Sequence, residues 1–317
     1  MKIKSILIFL LVIPAILLGY SSSYYYQNSA DGIALINSSS VVSEKATGVF
    51  NNFGTKNSKG FFYYDFGMQN VNSTSYFNSI NFAGQINLDT YALFVGRVES
   101  SIIDESQNLI QLGKNLLGLS GQFHNFYWGG RLIYAMAENS VYGAFANGLG
   151  VSFGLRKKVN KTTFGLNYSS PISLNWDKNS DLIFYNYISS EFNLGTSYAL
   201  SKNKVFFLGL RYMFPQVRMS GTGVVRNVLL YYQEINLSLG MKLGYSLKQF
   251  SFTHNFGLAV LQDNKLGTVE EGNLTVKAGT GLNLSYADLP IILKIGYNCD
   301  ITSEPMQIFK IGLLYNF

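Results

Sequence analysis

From about Gly60 to the last residue, the chain repeats one pattern, an apolar side chain at every second position. In "EINLSLGMKLGYSLK", Ile235, Leu237, Leu239, Met241, Leu243, Tyr245 and Leu247 share one face, and Asn236, Ser238, Gly240, Lys242, Gly244, Ser246 and Lys248 share the other. "NLTVKAGTGLNLSYAD" divides the same way. So does "TTFGLNYSSPISLNW", with Phe164, Leu166, Tyr168, Ile172, Leu174 and Trp176 on its apolar face. Period two marks a β-strand with one greasy side. Strands in soluble sandwiches are usually about five or six residues long. These runs are about twice that, the length a tilted strand needs to cross a bilayer. Periodicity gives about fourteen such segments, with a range of about twelve to sixteen. The predicted fold class is therefore all-β, a transmembrane antiparallel β-barrel.

The joints between segments alternate in length. Short ones fall at Asn87 to Asp89, His124 and Asn125, Val159 to Lys161, Ser201 to Asn203, Lys248 and Gln249, and Ala287 to Leu289. Between them lie longer stretches: "SSIIDESQNLIQLGK", "SPISLNWDKNSD", "MSGTGVVRN" and "QDNKLGTVEEG". Short periplasmic turns opposite longer surface loops are typical of outer-membrane barrels, and an even strand number puts both ends of the barrel on the periplasmic side. In "MQIFKIGLLYNF", Phe309, Ile311, Leu313, Tyr315 and Phe317 form the greasy face, and Lys310, Gly312 and Asn316 the other. A barrel has no edge, so this strand is expected to pair with the first one.

The chain opens with two lysines, an uncharged apolar run from Ile6 to Leu18 and then small polar residues. This is the pattern of a secretory signal peptide, and the run is shorter than the roughly 20 residues of a membrane helix. The expected organisation is a signal peptide over residues 1–20, a periplasmic or plug segment over 21–59 and a barrel over 60–317, located in the cell outer membrane. Removing Lys2 and Lys4 with the signal lowers the formal charge from +6 to +4, spread thinly, so no nucleic-acid partner is expected. A single cysteine excludes an intrachain disulfide, and two histidines are too few for a multi-histidine zinc centre. No cofactor or metal is expected.

No nucleophile elbow, zinc-protease helix or phosphate loop is present in the sequence, and the chain is not expected to be an enzyme. His124 falls in a short turn, and His254 lies among the outward aromatics Phe250, Phe252 and Phe256. Glu270 and Glu271 lie in a surface loop. The polar parity of the strands carries Arg131, Arg156, Arg211, Lys242, Lys277, Lys294 and Lys310 against Asp65, Glu191 and Glu234, a net basic lumen. Two readings fit it: the charges pair with one another or with a plug, or they attract an anionic headgroup. Pro171 and Pro215 interrupt strands near the outer rim, where the strands either loosen or break the wall sideways.

The terminal pattern of Phe309, Ile311, Leu313, Tyr315 and Phe317 resembles the recognition signal of bacterial outer-membrane proteins. It implies outer-membrane lipid and the barrel-assembly machinery as partners. Residues 21–59 resemble the N-terminal region of FadL-type and PorV/PorQ-type barrels, where an Ala-Leu stretch leads to an alanine-rich turn and an Asn-Pro-Ala motif. Ala34 and Leu35 stand for the first part. "KATGVFNNFG" stands for the second, with Ala46, Asn51, Asn52 and Phe53 as plug-motif residues and Phe53 where the family has proline. The resemblance implies a fourteen-stranded barrel with an N-terminal plug, and one of two activities. One is passage of hydrophobic or amphipathic small molecules such as fatty acids, anionic ones given the basic lumen. The other is service as an accessory barrel to secreted proteins or their surface attachment.

Overall fold

A computed structural model describes residues 29–36, 38, 42, 49–50, 60–71, 74–88, 91–103, 109–139, 143–177, 187–220, 227–266, 273–287, 289–301 and 307–317. Among the described residues a short helix, α1 (Ala30–Ala34), precedes the strands, and Val49 and Phe50 are helical too. The first seven are β1 (Phe61–Val71), β2 (Thr74–Asn87), β3 (Tyr91–Ile103), β4 (Leu109–Phe123), β5 (Phe126–Asn139), β6 (Ala144–Val159) and β7 (Thr162–Ser169). Three short pieces follow, β8 (Ile172–Ser173), β9 (Asn175–Trp176) and β10 (Tyr187–Ile188). The remaining seven are β11 (Glu191–Ser201), β12 (Lys204–Ser220), β13 (Asn227–Leu247), β14 (Phe250–Leu266), β15 (Asn273–Tyr286), β16 (Ile291–Asp300) and β17 (Gln307–Asn316).

Each long strand pairs antiparallel with its sequence neighbours, and β1 pairs with β17 from Phe61↔Asn316 to Asn70↔Gln307. The sheet is thus a closed barrel of fourteen strands, β1–β7 and β11–β17, as the alternation predicts. The tight joints also fall where expected, and His124, Asn160 and Lys248 take positive φ of 54°, 54° and 53° to open their two-residue turns. On the opposite side the strands run further than their composition suggests. Of Ser100–Lys114, only 104–108 lies outside β3 and β4, while 221–226 and 267–272 are all that separate β12 from β13 and β14 from β15. A backbone beside an open ladder satisfies its N–H and C=O groups by continuing it, whatever its side chains.

The apolar parity faces outward. Leu117, Leu132, Leu149, Val151, Leu208, Leu239, Leu258 and Leu313 are exposed in a belt around the barrel. Toward the tight turns the belt becomes aromatic, with exposed Tyr91, Phe123, Phe126, Phe164, Tyr198, Tyr245, Phe250 and Phe317. Such a surface is stable only against lipid, with aromatic rings at the interface. His254 belongs to this band, edge-on to Tyr245 and Phe256, and His124 lies edge-on to Phe123. The terminal face from Phe309 to Phe317 points outward too, and Phe317 closes the seam by donating its N–H to the Gly60 carbonyl at 2.9 Å.

One apolar run departs from its expected face. Ile172 and Leu174 read as outward residues of a long strand, but they are buried, and Ile172 packs on Gly148 and Gly150, on the lumen side of β6. Pro171 explains the change, since it has no N–H to give a ladder. The β6–β7 ladder ends at Ser152↔Ser169, and the chain then folds over the mouth, where β9 pairs with the top of β6 and β8 with β10. Pro215 is milder: it lies where the β12–β13 register shifts, between Met213 and Gln216.

Candidate functional site

The lumen is built around the residues preceding β1. Ser29 caps α1, its hydroxyl accepting the Gly32 N–H at 3.3 Å. The Ala30 N–H donates to the Tyr63 hydroxyl at 2.9 Å. Asp31 reaches the wall, where Asn255 donates to one carboxylate oxygen at 3.0 Å and the Lys294 ammonium pairs with the other. Burial pushes the Asp31 carboxyl up, but the Lys294 and Lys242 charges, with hydrogen bonds from Lys294 and Asn283, outweigh it and hold it well below the usual carboxylate range.

Backbone approaches backbone so closely here that the wall has to be glycine. A Cβ on Gly257 would lie 2.6 Å from the carbonyl carbon of Leu35, one on Gly281 2.6 Å from Ala34 Cβ, and one on Gly209 3.0 Å from Ser38 Cα. Gly240, Gly257 and Gly279 are successive ladder partners, so the small residues lie side by side across β13–β15. On the other side of the lumen, Arg131 donates to the Val49 and Phe50 carbonyls at 2.8 and 2.7 Å, and Arg156 to the Val42 carbonyl at 3.3 Å. The described parts of 21–59 therefore lie inside the barrel, in the position of a plug. Ala34 and Leu35 are fully buried in it, while Ala46, Asn51, Asn52 and Phe53 lie outside the described residues, as do Glu270 and Glu271.

All seven lumen cations named from the sequence sit in the lumen with partners, Arg156 on the Val42 carbonyl. Arg131 holds plug carbonyls and Lys294 holds Asp31. Lys242 lies over the Phe207 ring at 5.5 Å and acts on Asp31 through its charge. Arg211 pairs with Glu191 at 2.6 Å and Glu234 at 3.8 Å, Lys277 with Asp300 at 3.1 Å, and Lys310 with Asp65 at 3.4 Å. Of the two readings that the sequence left open for these charges, the observed contacts are those of pairing with each other and with the plug.

Across from Lys277, Lys294 and Lys310 the lumen wall carries an apolar cluster among the cations Lys114, Arg131 and Arg156. Ala83, Phe94, Val98, Leu116, Ile133, Ala135, Ala137 and Ala146, from β2–β6, form one cluster with Val49 and Phe50 of the plug and with Ile172 and Leu174 of the mouth segment. Beside this apolar wall the barrel splits. The β2–β3 ladder runs from Asn87↔Ala92 to Phe82↔Arg97 and stops, although β2 continues to Thr74 along β1 and β3 continues to Ile103 along β4. At the fork, the Glu99 N–H donates instead to Asn81 Oδ1 at 3.1 Å, and Asn81 donates to Asp65 at 2.9 Å. A break in the wall thus lies here, besides the end of the β6–β7 ladder just before Pro171.

Sequence reading missed Asp31, the glycine seat and this fork. The fork did leave a trace: in "YALFVGRVES" the outward positions Tyr91, Leu93 and Val95 are followed on the same parity by Arg97 and Glu99, charges where lipid-facing residues belong.

No family model matches the chain, and no curated protein matches it. Solved structures do. The toluene transporter TodX of Pseudomonas putida superposes with a TM-score of 0.63 at 12% identity, over 92% of this chain and 98% of that one. The CymD monoaromatic hydrocarbon channel superposes with a TM-score of 0.59 at 13% identity, over 92% of this chain and 94% of that one. At these identities the likeness establishes the fold, that of an outer-membrane β-barrel.

Proposed function

We propose that the protein passes small, uncharged hydrophobic molecules across the outer membrane, as a FadL-type barrel does. An apolar cluster on the inner wall carries this reading: it packs against Val49 and Phe50 on one side and Ile172 and Leu174 on the other, and lies beside the β2–β3 fork. In this reading a solute moves along these methyl and phenyl groups to the fork and leaves there sideways into lipid. The names of the neighbouring hydrocarbon channels support the same class of ligand. An anionic headgroup finds less support, because the cations expected to attract it are engaged by the plug and by neighbouring carboxylates. The test is uptake of labelled toluene and of a labelled fatty acid by cells with and without the gene, alongside a profile of their surface proteins. Loss of toluene uptake on deletion is expected. Unchanged uptake with surface proteins lost would replace this reading by the secretion one.

A further inference from the structure

Arg97 and Glu99 continue the parity of the lipid-exposed Tyr91, Leu93 and Val95, yet their side chains are only 12% and 2% exposed. A charge facing outward at that depth in a barrel wall is costly and marks a site. The two pair with each other at 2.6 Å through Arg97 Nε and Glu99 Oε1. Glu99 Oε2, buried with the rest of that side chain, has no hydrogen-bond partner among the described residues, and neither has Gln111 Oε1. Both residues line a pocket of about 190 Å³ whose apolar sides include Tyr134 and Phe145. A dry cavity of about 150 Å³ accommodates a benzene ring, so the volume is sufficient. Two free acceptors beside aromatic and aliphatic surface specify a ligand: an apolar body with a hydrogen-bond donor on it.

We propose that this outward pocket at the β2–β3 fork binds small hydrophobic alcohols, phenols or amines, holding the donor on Glu99 and Gln111. The inference deepens the proposed function by naming a ligand class and rests on it only in taking the ligand to be a small hydrophobic molecule. An alcohol would meet the unpartnered acceptors, whereas a pure hydrocarbon would leave them bare, so the pocket selects within the hydrophobic class.

Calorimetric titration of the detergent-purified full chain with toluene, benzyl alcohol and benzylamine tests this. Toluene is the more apolar probe and binds better to a merely greasy site. Here benzyl alcohol and benzylamine should bind tighter than toluene by about fivefold, the equivalent of one net hydrogen bond. Gln111→Leu removes one of the two acceptors and should reduce that preference. Gly113→Leu should abolish it by filling the pocket, since a Cβ there meets only Arg97 Nη2 at 3.7 Å and Met136 Cε at 3.9 Å. If Gly113→Leu fails to give a heat-resistant barrel, Gln111→Leu decides. Tighter toluene binding in the wild type, or a preference that these variants leave undiminished, overturns the assignment. Toluene uptake without any alcohol preference overturns the pocket and leaves the proposed function standing. Alcohol preference without toluene uptake does the reverse.

Discussion

Asp31 is the residue on which the plug turns. Its carboxylate faces Lys294 and Asn255 inside the lumen, so removing it leaves a buried ammonium without a counter-charge. Breaking one side of such a pair costs about 3–5 kcal/mol. Asp31→Ala should therefore unseat the plug, and in planar bilayers the variant should show ion-conducting steps where the wild type is quiet. Asp31→Asn, which keeps the shape and one acceptor, should show fewer. The same ion pair sets an acid limit. With its folded pKa depressed, Asp31 contributes stability that is present above the unfolded carboxylate value of about 3.9 and is lost only as pH falls through the lower folded value. The wild type should stay quiet from pH 7 down to pH 4 and open only in stronger acid; steps appearing between pH 6 and 5 would dissociate plug seating from Asp31.

Among the elements, β12–β15 receive the described residues before β1 on glycines. Gly257→Val should push α1 off β14, because its Cβ alone would lie 2.6 Å from Leu35. Conductance should rise while the heat-dependent gel shift of a closed barrel persists, which separates plug loss from barrel loss. At the seam, Tyr315 stacks with Phe317, and the Phe317 ring lies against Gly60. Replacing both aromatics with Ser should reduce insertion into the outer membrane while export continues, and normal accumulation would reduce the terminal pattern to an ordinary strand. These elements were unequally legible in the sequence. Strand number, parity and tight turns followed from alternation, because each side chain in the wall sees either lipid or lumen. Ile172 and Leu174 were misplaced because Pro171 ends a ladder without ending the alternation, and period two cannot register that the chain has left the wall. Asp31 was illegible because the plug has no period. Its role comes from Lys294 and Asn255, more than two hundred residues away.

At the scale of the whole molecule, the apolar cluster lies between two covers in series. Plug residues Val49 and Phe50 close it toward the tight-turn side, and Ile172 and Leu174 close it toward the mouth. Polar solutes crossing the lumen must pass both, so the tighter cover sets the rate. In the proposed route, hydrophobic solutes that reach the cluster leave through the β2–β3 fork without passing the plug. This arrangement makes mutational effects non-additive in a defined direction. Ile172→Ser with Leu174→Ser should raise uptake of a small polar antibiotic only slightly, since the plug still blocks the path. Asp31→Ala should raise it only slightly for the mirror-image reason. Combining them should raise it by much more than the product of the separate effects. Toluene uptake should respond to the mouth substitutions and not to Asp31→Ala, because only the mouth lies on the lateral route. Equal sensitivity of toluene and antibiotic to plug removal would mean that both take the axial path, and the fork would then have no part in transport.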